Sequence, residues 1–115
     1  VTELARGGVQ PVLMTLPPID GARYLDYICR GGLSRDSIMR WLGDVGCIYR
    51  HQELYSDTVA SFAMREGLPL IDVRRRFLPQ RDLSELISAD GIHLTMPGYR
   101  QLFDTLAQWV VPQLA

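Results

Sequence analysis

Apolar residues along the chain fall into short runs and helix-spaced stripes, separated by glycine, proline and polar clusters. Val1 to Gly8 read as the last turns of a helix ended by Gly7 and Gly8, because glycine takes the left-handed cap conformation without a Cβ penalty. Pro11-Val-Leu-Met-Thr-Leu16 is a continuous apolar run bounded by Pro17 and Pro18, the pattern of a buried parallel strand. Residues 20–33, rich in Gly and polar side chains, predict a loop. Ser34 then serves as a helix N-cap, and Ile38, Trp41, Leu42 and Val45 recur at i, i+3, i+4 and i+7 on one face of the helix it opens.

A second helix is predicted over roughly residues 50–66, with Tyr55, Val59, Phe62 and Ala63 as its apolar stripe and Gly67 past its end. Leu68 to Val73 is the next strand, with Pro69 tolerated near its start. A strand, helix, strand order with a crossover of this length predicts parallel pairing. A short helix near Leu83 to Ile87 leads to residues 89–99, and Pro97 suits the first turn of a terminal helix. Tyr99, Leu102, Phe103, Leu106 and Val110 form its apolar stripe, running until Pro112.

A chain of 115 residues fits one domain with one modest core, and 47% hydrophobic with 22% charged residues is the composition of a soluble globular protein. The formal net charge of −1, with Arg spread along the chain, provides no long-range positive field, so nucleic acid is not an expected partner. The one basic run, Arg74 to Arg76, reads as a solvated loop face without assigned function. All twelve basic residues are Arg, which removes lysine Schiff-base chemistry and the P-loop lysine. Cys29 and Cys47 are too few for a disulfide scaffold or a paired-spacing zinc site, which leaves them as core-filling thiols or one mutual disulfide. No stretch approaches the ~20 apolar residues of a membrane span and no leader is visible, while cytoplasmic and secreted locations are not distinguished.

Asp90 and His93 carry the clearest chemistry. They stand three residues apart in a loop leading into a helix, so one short turn presents both side chains to one cleft. A carboxylate that accepts the imidazole Nδ1 proton fixes the tautomer and leaves Nε2 free to take a proton from a hydroxyl. The residues by themselves leave two readings open, an acid-base pair and a structural turn bracing the helix. His51, the other histidine, reads as a surface or cap residue, and Asp72 at a strand end reads as structural. Tyr24, Tyr27, Trp41 and Tyr49 suit a substrate rim, with core packing an equal alternative for Trp41.

The block Asp90-Gly91-Ile92-His93-Leu94, followed by Gly98-Tyr99 at the start of the last helix, resembles the last conserved block of the GDSL/SGNH serine hydrolases. Pro11 to Leu16 with Pro17-Pro18 resembles the fourth strand of that family, and Leu68 to Val73 its fifth. The resemblance covers most of the chain apart from an insertion around residues 20–47. It implies the carboxyl-terminal portion of an α/β domain, a three-layer α/β/α flavodoxin-like sandwich with a parallel sheet. It assigns Asp90 and His93 as acid and base of a Ser-His-Asp triad that cleaves small-molecule, carbohydrate or lipid esters, with no metal or organic cofactor.

The Gly-Asp-Ser-type nucleophile block, the oxyanion-hole glycine and the Gly-x-Asn-Asp block of that family are missing from these residues, and the resemblance implies that they lie upstream. Ser34 follows Gly31-Gly32-Leu33, but it lies in the insertion and suits a helix cap better than a nucleophile. The isolated chain is therefore expected to be inactive, and to self-associate or to pair with a missing amino-terminal half through its unpartnered strand. The competing reading is a non-catalytic α/β interaction module or degenerate hydrolase, with Asp90 and His93 bracing the terminal helix. A receiver or nucleotide-binding domain is disfavoured by the lack of a glycine-rich phosphate loop.

Overall fold

The computed structural model describes residues 1–114. Along the chain run α1 (Thr2–Arg6), β1 (Leu13–Met14), α2 (Gly21–Arg30), α3 (Arg35–Leu42), α4 (Gly46–Glu66), β2 (Leu70–Ile71), α5 (Val73–Phe77), α6 (Leu83–Leu86) and α7 (Met96–Gln113). The arrangement is mostly helical around a two-stranded parallel sheet, a mixed α/β structure. Leu13 faces Leu70 and Met14 faces Ile71, so the parallel pairing expected of the two apolar runs is present.

Both strands are shorter than the runs that predict them. Leu13 and Thr15 donate their N–H groups to the carbonyls of Pro69 and Ile71 at 3.0 and 3.1 Å. Beyond Thr15 the chain leaves the sheet: the Leu16 N–H bonds the buried Ser56 Oγ on α4 at 3.0 Å, and Pro17 and Pro18 have no N–H to offer. At the other strand Asp72 ends the ladder, because its carboxylate accepts the Arg75 N–H at 3.3 Å and caps α5. The run Arg74 to Arg76, expected in a loop, lies in that helix. Its flanking residues Val73 and Phe77 are both fully buried, and Arg74 forms an ion pair with Glu53 of α4.

The predicted loop over residues 20–33 is largely helix. Asp20 is the N-cap of α2, accepting the Arg23 N–H at 3.1 Å, and Tyr24, Leu25 and Ile28 supply an inward face on which Leu25 is buried. The glycines at positions 21, 31 and 32 punctuate this helix at its ends. Ser34 caps α3 as expected, accepting the Ser37 N–H at 3.2 Å. That helix stops at Gly43, however, and Val45 belongs to the start of α4. Trp41 is 83% exposed, although its spacing places it on the Ile38 face. The crossover helix α4 starts at Gly46, four residues before its predicted boundary, and ends at Gly67 in the left-handed conformation. Ser56 and Ala63 are its buried positions, and Tyr55 is exposed.

The core joins Ile71, Val73, Phe77, Leu86 and Leu94, with Met14, Leu83, Leu102, Leu106 and Trp109 packed against it. On α7 the inward face is therefore Gly98, Leu102, Thr105, Leu106 and Trp109. Tyr99, Phe103 and Val110, predicted inside, are exposed, so α7 is apolar on two faces and buries one. The helix also passes through Pro112 to Gln113 instead of stopping before it.

Candidate functional site

The segment between α6 and α7 forms a closed turn. Ile87 and Leu94 make an antiparallel bridge, the Ser88 N–H bonds the His93 carbonyl at 2.8 Å, and the Gly91 N–H bonds the Ser88 carbonyl at 3.0 Å. Gly91 sits at φ +81°, a conformation that strains any residue with a Cβ. Its carbonyl accepts the Asp20 N–H at 2.8 Å, which presses the turn against the first turn of α2. Below the turn, Thr95 caps α7 by accepting the Gly98 N–H at 3.2 Å, and its hydroxyl donates to the Glu85 carbonyl at 2.7 Å.

Asp90 and His93, the two residues singled out in the sequence, meet in this turn. His93 Nδ1 lies 2.6 Å from Asp90 Oδ2. The other carboxylate oxygen, Oδ1, accepts the Ser88 hydroxyl at 2.6 Å and the backbone N–H groups of Ile92 and His93 at 3.0 Å each. The Ser88 hydroxyl, then the His93 ring, then the two backbone donors hold the Asp90 carboxyl well below the usual carboxylate range. An ionised Asp90 can only accept, so the proton in the contact belongs to His93 Nδ1. In the neutral ring Nε2 is then the basic nitrogen. The Asp90 side chain is 19% exposed and the His93 side chain 67%, so the carboxylate is recessed while the imidazole faces outward.

Two residues that support this pair carry no signal of their own in the sequence. Ser88 fixes the carboxylate, and Arg23 of α2 fixes the segment leading to it. Arg23 Nη1 donates to the carbonyls of Ser84 at 2.9 Å, Ile87 at 2.7 Å and Ser88 at 3.4 Å. Its partner in sequence is Asp20, whose carboxylate lies 3.4 Å from Arg23 Nε. The Asp20 cap was the available clue, since an Asp three residues before a helical N–H opens a helix and would have placed Arg23 on it.

The remaining candidates lie elsewhere. Ser34 is engaged as the cap of α3, and no described serine hydroxyl hydrogen-bonds the His93 ring. His51 is exposed on α4. Asp72 accepts the Thr15 hydroxyl at 2.9 Å and joins β1 to α5. Tyr49 is half-buried, and burial followed by the Glu53 carboxylate pushes its phenol up. Cys29 and Cys47 are free thiols, both half-buried. Tyr24 and Trp41 line an apolar groove between α2, α3 and α4, whereas Tyr27 is exposed elsewhere on α2. Among the described residues no group of three or more His, Cys, Asp or Glu is placed to hold a metal, and no helix is long and apolar enough to cross a membrane.

No protein-family model matches this chain, and no curated protein matches it. The functional reading of Asp90 and His93 therefore rests on their geometry and on the sequence block around them.

Proposed function

We propose that these residues are the acid-base portion of a serine ester hydrolase, in which His93 is the general base and Asp90 orients it. The observation that carries this reading is the 2.6 Å contact between His93 Nδ1 and a carboxylate already saturated on its other oxygen, with the ring otherwise exposed. A carboxylate so fixed holds one tautomer and stabilises the imidazolium, which is what proton transfer to and from a hydroxyl nucleophile requires. The GDSL/SGNH resemblance supplies the reaction class. A serine outside these 115 residues attacks the ester carbonyl, His93 takes its proton and returns it to the leaving alcohol, and water hydrolyses the acyl-enzyme.

The two parallel strands joined by a helical crossover support the companion reading that the segment belongs to a larger three-layer α/β/α sheet. The exposed apolar face of α7, with Met96 and Phe103 72% and 69% exposed, is what a further layer or a partner would cover. That same face favours a second reading, a non-catalytic interaction module in which Asp90 only braces the turn into α7.

Hydrolysis of p-nitrophenyl esters separates the two. Protein made from the complete reading frame should turn over, whereas the 115-residue chain and a full-length His93→Ala variant should lose at least a hundredfold, as expected when a general base is removed. Absence of turnover in all three, with short acyl, long acyl and sugar acetate esters, would leave the interaction module.

A further inference from the structure

Met96, Phe103 and Val110 on α7 are all exposed and recur every seven residues, the spacing that keeps one seam of a helix facing a partner helix along its length. Tyr99 and Leu114, exposed as well, widen the seam. Leu102, Leu106 and Trp109 already seat α7 on the core by its other face, so the seam is not needed to hold the helix in place. Single exposed apolar residues are ordinary, whereas a continuous stripe along ~27 Å of helix marks an interaction surface.

The charges beside the stripe select what lies on it. Arg100 and Asp104 are both exposed and stand one turn apart on the same flank of the seam. Among the described residues neither enters an ion pair. The opposite flank, at Tyr99 and Leu106, carries no charge. Two copies of α7 packed antiparallel about a two-fold axis at Phe103 bring their charged flanks to the same side, where Arg100 of each copy meets Asp104 of the other. The same register sets Met96 opposite Val110 of the second copy and brings the two Phe103 rings together at the axis. A parallel pair would put the charged flanks on opposite sides of the seam and leave all four charges unpaired. An acidic or a basic partner would match one of the two charges and repel the other, whereas a second copy matches both.

We propose that the outward face of α7 is a homodimerisation surface, on which two copies of this chain pack antiparallel through the seam of Met96, Phe103 and Val110. The proposal uses no residue of the Asp90–His93 turn and stands apart from the ester-hydrolase reading. It also places self-association on a helix and not on the unpartnered edge of β1. A contact made by one helix pair is at the low end of specific interfaces, so the dimer should dissociate in the micromolar range.

Sedimentation equilibrium of the 115-residue chain, from about 1 μM to ~1 mM, should show a monomer–dimer equilibrium. Phe103→Asp should weaken it at least tenfold, with far-UV circular dichroism verifying that the variant folds. Arg100→Glu and Asp104→Lys, both at exposed positions, should each weaken it by about tenfold, because the two-fold axis doubles every ion pair lost. Mixing those two variants should restore the dimer, since each reversed charge then meets an opposite charge on the other copy. That restoration belongs to the antiparallel register and does not arise from a parallel pair or from pairing through β1. A monomer throughout the concentration range, a dimer that survives Phe103→Asp, or a mixture no tighter than its two components would overturn the proposal. So would a monomer from the complete reading frame, because an upstream segment of the same chain would then cover the seam.

Discussion

Replacing Gly91 by Ala tests whether the turn carrying His93 is held by close contact with α2. Two costs combine at this position. The left-handed backbone at φ +81° costs about 1–2 kcal/mol once a Cβ is present. The added Cβ would also run into the Asp20 carbonyl oxygen and lie 2.5 Å from the Tyr24 nitrogen, backbone atoms that cannot rotate away. Relieving that clash should cost a further ~1–3 kcal/mol, the range for forced overpacking. Gly32→Ala isolates the first cost, because Gly32 has φ +95° and nothing within 4 Å of its Cβ position. Any gain from restricting the unfolded chain is the same in both variants and drops out of the difference. At about 4 °C per kcal/mol for a domain of this size, Gly91→Ala should lower Tm by ~8–20 °C and Gly32→Ala by ~4–8 °C. Thermal melts followed by far-UV circular dichroism give these values, and urea titrations give the free energies. In Gly91→Ala the His93 Nδ1 proton that bonds Asp90 should also broaden or disappear in the NMR spectrum, while Gly32→Ala keeps it. Equal losses in the two variants would refute the close-packed turn, leaving only backbone strain at Gly91.

Three further outcomes follow from the polar contacts. The Asp90 carboxyl is depressed in the folded chain, so its ionised form contributes stability that is complete above the ordinary value of about 3.9 and is lost as pH falls through the folded value. Acid unfolding should therefore be steeper in the native chain than in Asp90→Asn, and Ser88→Ala, which removes the largest cause, should move the Asp90 carboxyl upward in a ¹³C NMR titration; an unmoved titration would dismiss the role given to Ser88. The buried Thr15 hydroxyl donates to Asp72 Oδ1 at 2.9 Å and accepts the Arg74 N–H at 3.0 Å, so Thr15→Val should cost ~1–3 kcal/mol in urea denaturation and Thr15→Ser clearly less.

The fold was legible where one physical rule acted alone. Short apolar runs marked both strands and their parallel pairing, and Gly67 marked the end of α4. Boundaries failed where side chains took over backbone partners. Ser56, forty residues away, draws the Leu16 N–H out of the sheet, and Asp72 turns β2 into α5 by capping the N–H of Arg75, a local signal masked by the apolar run before it. Periodicity found α7 but could not choose its buried face. Both Tyr99-Phe103-Val110 and Leu102-Leu106-Trp109 are apolar at helical spacing, and only packing against Phe77 and Leu86 distinguishes them.

The candidate pair was legible for a different reason: Asp90 and His93 are three residues apart, so a single glycine turn brings them together without help from the rest of the chain. What holds that turn was invisible because it comes from α2, whose glycine-flanked sequence read as a loop. Once Asp20 caps that helix, Arg23 reaches carbonyls more than sixty residues away and the Tyr24 backbone closes against Gly91. The segment that resembled an insertion between family strands therefore has two jobs in one helical turn. Its backbone and Arg23 hold the turn that carries His93, and its residues line the groove between α2, α3 and α4. A substitution that unseats the start of α2, such as Asp20→Ala, should loosen the His93–Asp90 contact and broaden the His93 Nδ1 proton resonance in NMR, whereas Ser34→Ala at the cap of α3 should leave that resonance unchanged.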